Sequence, residues 1–214
     1  MDHTVASLHQ IETELKKRWL YPYHWHKKQD NQADKLTNFM FDFLYFEDFL
    51  TEIDNQLAYR YDYAKLKDYA MNRWYNYWSA IAIERILVSF QGIEAHPNEK
   101  HKTIDFYLEG IPFDHKSTVF PQQYPESLSF AQENPTHLMH WLYNAQSEEQ
   151  RWHLANRLFL VFHDSQGYHW KLKAEISFIK EALTQYIQNF RFSQLKQIAI
   201  LDTLIWTDII WITR

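Results

Sequence analysis

The sequence predicts an α/β protein: a mixed β-sheet flanked by helices, preceded by a helical N-terminal extension. Three observations carry this. Helical periodicity dominates the first hundred residues, two strand-like segments at 102–108 and 111–119 meet across Glu109 and Gly110, and a buried apolar run at 158–162 precedes another helical pattern at 172–190. The expected division is a helical extension over 1–58, packed on an α/β domain over 59–214.

Taken in order, Val5, Leu8, Ile11, Leu15 and Trp19 recur at helical intervals, and Pro22 ends that element. A second helix is predicted over 31–55, from Leu36, Phe39, Met40, Phe43, Leu44, Phe46, Phe49, Leu50 and Ile53. Its acidic residues Asp42, Glu47, Asp48, Glu52 and Asp54 face solvent and would repel a nucleic-acid backbone. A third helix is predicted over 60–89. Beyond Gly92 the texture changes to the paired strands, then to a loop over 120–135 with three prolines, then to a helix starting near His137 and capped by Asn134 or Thr136. The last segment, 194–214, is apolar enough for helix or strand.

Composition narrows the function classes. The chain has 214 residues, 22 Lys+Arg against 27 Asp+Glu, and no cysteine, so disulfides, thiol catalysis and cysteine-held clusters are excluded. A net charge of -5 gives no support to non-specific phosphate binding over a broad surface. Lys16, Lys17, Arg18, Lys27 and Lys28 form a local basic stretch, read as a solvated helix end. Residues 1–10 lack the apolar core of a secretory signal, and no apolar run reaches the roughly 18 residues of a membrane span. A soluble cytoplasmic protein, with no membrane partner, is the expectation.

The strand pair concentrates the chemistry. Side chains alternate across a strand, so Asp114 and Lys116 share one face and Phe113 and His115 the other. With Glu109 and Gly110 as a two-residue loop, Leu108 pairs with Ile111, Tyr107 with Pro112, Phe106 with Phe113, and Asp105 with Asp114. Pro112 then occupies a non-hydrogen-bonded position, where its missing donor costs nothing. Two opposed carboxylates need a counter-charge, from a divalent ion or from Lys116. Glu84 lies on the stripe of Leu66, Ala70, Trp74, Tyr77, Ile81 and Val88, where a carboxylate is costly unless paired or bound to a metal.

Glu84, then Asp105, then Asp114-His115-Lys116 resembles the PD-(D/E)XK nuclease superfamily, whose fold is restriction-endonuclease-like. The resemblance covers approximately residues 73–190, with Ile104 where the motif name has proline and a first strand expected near Ile93. It implies metal-dependent phosphodiester hydrolysis on nucleic acid, DNA foremost, with Mg²⁺, or Mn²⁺ in its place. Asp105, Asp114 and the backbone carbonyl of His115 would hold the ion, Glu84 a water or a second ion, and Lys116 the attacking water. A partner protein or a homodimer would supply recognition. The alternative is a non-catalytic interaction or nucleic-acid-binding protein of similar fold.

Other candidates are weaker. The histidine pairs His96/His101, His137/His140 and His163/His169 invite zinc, but none forms the His-Glu-x-x-His pattern. Ser117 and Thr118 are candidate phosphate contacts, and Arg151, Arg157, Lys171 and Lys173 candidate substrate-facing bases.

Overall fold

The computed structural model describes residues 6–25, 31–98, 101, 103–147, 155–200 and 202–214, without the side chains of 146 and 147. Val5, Lys27, Lys28, Lys102 and Arg151 lie outside the described residues. The chain divides into two compact units, Met1–Ile83 with Lys173–Phe178, and Glu84–Leu172 with Ile179–Arg214.

The first unit is helical. Helix α1 (Leu8–Lys17) opens on a capping box: the Ser7 hydroxyl accepts from the Gln10 amide, and the Gln10 side chain accepts from the Ser7 amide. Its Glu14 carboxylate accepts the Phe46 amide at 2.9 Å, satisfying an orphan donor at the start of α3 (Phe46–Leu57). The single helix expected over 31–55 is instead α2 (Asn31–Leu36), a 3₁₀ turn (Asn38–Asp42) and then α3. Phe43 between them is extended, with φ −117° and ψ 118°. Its carbonyl accepts both the Trp74 indole at 2.7 Å and the Trp78 indole at 2.8 Å. Two tertiary hydrogen bonds thus replace the helical one, and Phe46 and Phe49 pack on the Trp74 ring. Helix α4 (Tyr63–Leu87) is buried on most sides, so an apolar stripe does not define one face of it.

The second unit is built on a six-stranded mixed sheet of order β1-β2-β3-β4-β6-β5. The strands are β1 (Ile93–Ala95), β2 (Phe106–Leu108), β3 (Ile111–Val119), β4 (Arg157–His163), β5 (Lys196–Ile200) and β6 (Thr203–Thr213). β3, β4 and β6 run parallel, while the β1-β2-β3 and β6-β5 pairings are antiparallel. The expected strand near Ile93 is therefore present, and the undecided C-terminal segment is a hairpin whose second strand lies inside the sheet, between β4 and β5.

The β2–β3 register matches the counted one: Leu108 opposite Ile111, Tyr107 opposite Pro112, Phe106 opposite Phe113. Glu109 at φ 50° and Gly110 at φ 78° give the left-handed pair of residues that a two-residue hairpin loop requires. β4 is buried on both faces, as parallel strands between helices are. On one face Phe159 and Val161 join Leu138, Met139 and Leu142 of α6 (Pro135–Ser147). On the other lie Leu158, Leu160 and Phe162, and there the Tyr186 hydroxyl of α7 (Ile176–Asn189) donates to Asp208 of β6 at 2.8 Å. The segment expected as loop carries a short helix, α5 (Leu128–Glu133), because the Ser127 hydroxyl caps it through the Phe130 amide. Among the described residues no helix is long and apolar enough to cross a membrane.

Candidate metal centre

Three side chains of the second unit converge. Glu84 comes from the C-terminal turn of α4, Asp105 from the residue before β2, and His115 from the middle of β3. Their ligand atoms lie within 4.8 Å of one another. Asp105 Oδ2 is 3.0 Å from His115 Nδ1, and Glu84 Oε1 is 3.6 Å from the same nitrogen.

Asp105 is fixed by its backbone as much as by its carboxylate. Its amide donates to the Phe113 carbonyl at 2.8 Å, and its carbonyl accepts the His96 amide at 3.0 Å. Its Oδ2 accepts the His115 amide at 2.8 Å. The regular ladder ends at Phe106, so the side-by-side placement of Asp105 and Asp114 expected from counting does not form. Asp105 turns instead to His115.

Asp114 has a different role from the ligand expected of it. It is 3% exposed, with Oδ1 2.9 Å from Lys116 Nζ and Oδ2 3.1 Å from Arg157 Nε. Strand alternation gives Asp114 and Lys116 one side of β3 and His115 the other, as the sequence implied. The consequence is that His115 brings its imidazole to the cluster, where its backbone carbonyl had been expected. Arg157, expected on a substrate-facing rim, is buried at the start of β4 and lies over the Tyr143 ring. Beside it Asn156 stitches three strands, through its carbonyl to the Asp114 amide, through Nδ2 to the Pro112 carbonyl and through Oδ1 to the Trp206 amide. A charge heading the apolar run 158–162 was the available signal for a buried counter-ion.

The electrostatics follow from burial and proximity. Burial raises the Glu84 pKa, and the Asp105 and Asp114 charges push the same way against His115 and Lys116. Burial opposes charge on the His115 ring, but the hydrogen bond to Asp105 and the charges of Glu84, Asp105 and Asp114 outweigh it and raise its pKa. Burial also works against the Asp105 charge, yet the two His115 hydrogen bonds, with the His115 and Lys116 charges, hold its carboxyl below the ordinary range. Side-chain exposure rises from 4% at His115 to 21% at Asp105 and 37% at Glu84, so the cluster is anchored at the ring and reached from the Glu84 side.

The donor set fits a divalent ion. Ligand atoms about 2.0–2.2 Å from a common ion stand roughly 3.0–3.6 Å apart at octahedral or tetrahedral angles, which is the spacing on either side of Nδ1. This is the one group of three or more histidines and carboxylates that converges among the described residues. The His96 and His101 rings lie tilted with centroids 4.4 Å apart, and those of His163 and His169 4.8 Å apart, each pair without a third ligand among the described residues. His137 bonds Tyr124, the Thr118 hydroxyl donates to the Val119 carbonyl, and Lys171 lies over the Tyr168 ring. Lys173 is buried against Asn76. Comparison with protein-family models, curated proteins and solved structures gives no match to this chain.

Proposed function

We propose that the chain is a metal-dependent nuclease of the PD-(D/E)XK type with a restriction-endonuclease-like core, hydrolysing phosphodiester bonds, in DNA foremost. The observation that carries the reading is the convergence of Glu84, Asp105 and His115 beside the Asp114-x-Lys116 triplet. The hairpin that delivers Asp105 and the triplet, and the mixed sheet behind it, agree with the same reading.

A divalent ion held by Asp105, His115 and Glu84 would supply Lewis-acid polarisation of the phosphate and acidify water. The protein's own groups then orient the reaction. Lys116, on the opposite side of β3 from the imidazole and with its side chain 42% exposed, acts through its charge, which reaches Glu84 and Asp105 and opposes the charge developing on the phosphate. Glu84, the most open of the three cluster residues, accepts a hydrogen bond from the attacking water. Asp114 takes a positioning role: neutralised by Arg157, it holds the Lys116 ammonium at 2.9 Å. The net charge of -5 leaves substrate recognition to a small basic area or to a partner, a second copy included.

One observation favours a second reading, a non-catalytic nucleic-acid-binding or interaction protein: the carboxylate that the motif assigns to the ion is paired with Arg157. A cleavage panel of plasmid and oligonucleotide DNA and RNA with Mg²⁺, Mn²⁺ or EDTA separates the two. The nuclease reading expects ion-dependent cleavage that Asp105→Ala and Lys116→Ala each abolish. Nucleic-acid binding without cleavage, unchanged in Lys116→Ala, establishes the second reading.

A further inference from the structure

We infer that the ion of this centre is a first-row transition ion bound through the His115 imidazole, and that the site discriminates against Mg²⁺. This rests on the metal-centre reading above but not on its nuclease chemistry.

The donor at the middle of the cluster is a nitrogen. His115 Nδ1 faces both carboxylates, at 3.0 Å from Asp105 and 3.6 Å from Glu84. An ion held between Asp105 Oδ2 and Glu84 Oε1 on the side of the ring meets this nitrogen as well. Mg²⁺ takes a hard, all-oxygen octahedral shell, whereas imidazole suits the transition ions, whose affinity for mixed nitrogen and oxygen sites rises from Mn²⁺ towards Cu²⁺.

The ring has no easy way to withdraw. Its side chain is 4% exposed, and its own amide is tied to the Asp105 carboxylate that would share the ion. An oxygen donor to replace it is not at hand either. The adjacent carboxylate, Asp114, has one oxygen on the buried Arg157 guanidinium and the other on Lys116. Releasing it for an ion would break a buried ion pair. Two carboxylates and one imidazole remain, with further positions for water and substrate. That set is richer in nitrogen than the shell Mg²⁺ prefers.

The test uses the full chain and the metals alone. Mn²⁺, Co²⁺ and Mg²⁺ affinities are measured by titration calorimetry, and the Mn²⁺-loaded protein is examined by pulsed electron paramagnetic resonance for histidine nitrogen coupling. The expected result is Mn²⁺ binding at least about tenfold tighter than Mg²⁺, with a directly bound imidazole nitrogen. His115→Asp should erase that coupling and bring the two affinities together. Labelling the unsubstituted protein with ¹⁵N-histidine should shift the coupling to the ¹⁵N frequency, which keeps the test sound if the variant does not fold. Equal Mn²⁺ and Mg²⁺ affinities, bound Mn²⁺ without histidine coupling, or no binding at millimolar metal each overturn the inference. Because no readout involves cleavage, coupling in a protein that cuts nothing leaves the inference standing and removes the nuclease. Mg²⁺-supported cleavage without coupling does the reverse.

Discussion

Asp105 Oδ2 meets His115 twice, accepting its backbone amide at 2.8 Å and lying 3.0 Å from its ring Nδ1. One carboxylate oxygen thus fixes both the main chain of β3 and the rotamer of the ring. Local structure and candidate chemistry depend on the same atom.

Asp105→Ala should therefore lose metal binding and also destabilise the fold, by about 1–3 kcal/mol, because the His115 amide is left without its acceptor. Asp105→Asn keeps an acceptor oxygen and should hold stability within about 1 kcal/mol of the parent while still losing most metal affinity. Urea unfolding and metal titration on the same samples check both halves. Equal stability losses in the two variants would refute the assignment of the oxygen.

The Asp114–Arg157 pair should behave as a buried ion pair. Asp114→Ala is expected to cost about 3–5 kcal/mol, since it breaks a buried ion pair. Asp114→Ala with Arg157→Leu should be more stable than Asp114→Ala alone. A double-mutant cycle by chemical denaturation reads the coupling, and additive losses would count against it.

Lys116 should separate stability from chemistry. Its ammonium is substantially exposed, so Lys116→Ala should change unfolding stability by no more than about 1 kcal/mol. Single-turnover cleavage should fall by about 10²–10³-fold, the usual effect of removing one group that opposes developing charge. Wild-type rates in a correctly folded variant would take Lys116 out of the mechanism.

Lys173, in the first unit, should make stability depend on pH. It is 7% exposed, donates to Asn76 at 3.0 Å, and burial pushes its pKa from 10.5 down to about 8. Between those two values the unfolded chain binds more protons than the native one, so this lysine makes stability rise with pH across that window. Its penalty is fully present below pH 8. Lys173→Met should exceed the parent in stability most at neutral pH, with the difference shrinking by about 3 kcal/mol by pH 10.5. Urea unfolding of both proteins at pH 7, 9 and 10.5 measures this, and a difference independent of pH would show that Lys173 keeps its ordinary pKa.

Much of the hairpin was legible from residue order alone. A two-residue loop at Glu109 and Gly110 and a proline tolerated only at a non-hydrogen-bonded position leave little choice of register, and the observed pairing agrees. Glu84, Asp105 and the Asp114-His115-Lys116 segment also fall in one unit. The turn of Asp105 towards His115 was not legible, because it depends on where the ladder stops and the Asp105 amide moves to the Phe113 carbonyl. Arg157 was hidden for another reason: parallel pairing of β3 with β4 sets it against a residue 43 positions away. The break at Phe43 likewise comes from indole donors 31 and 35 residues distant, which no local preference announces.

The short, proline-pinned hairpin imposes an arithmetic on the cluster. Asp105 and His115 are ten positions apart, joined by a loop of fixed length. Substitutions between them alter packing, but inserting or deleting a single residue shifts the odd–even order of β3 against β2. Asp114 would then turn to the side of β3 that faces Glu84 and the imidazole to the side of Arg157, trading one chemistry for another with every ligand still in the chain. The spacing is thus as much a component of the centre as the side chains are.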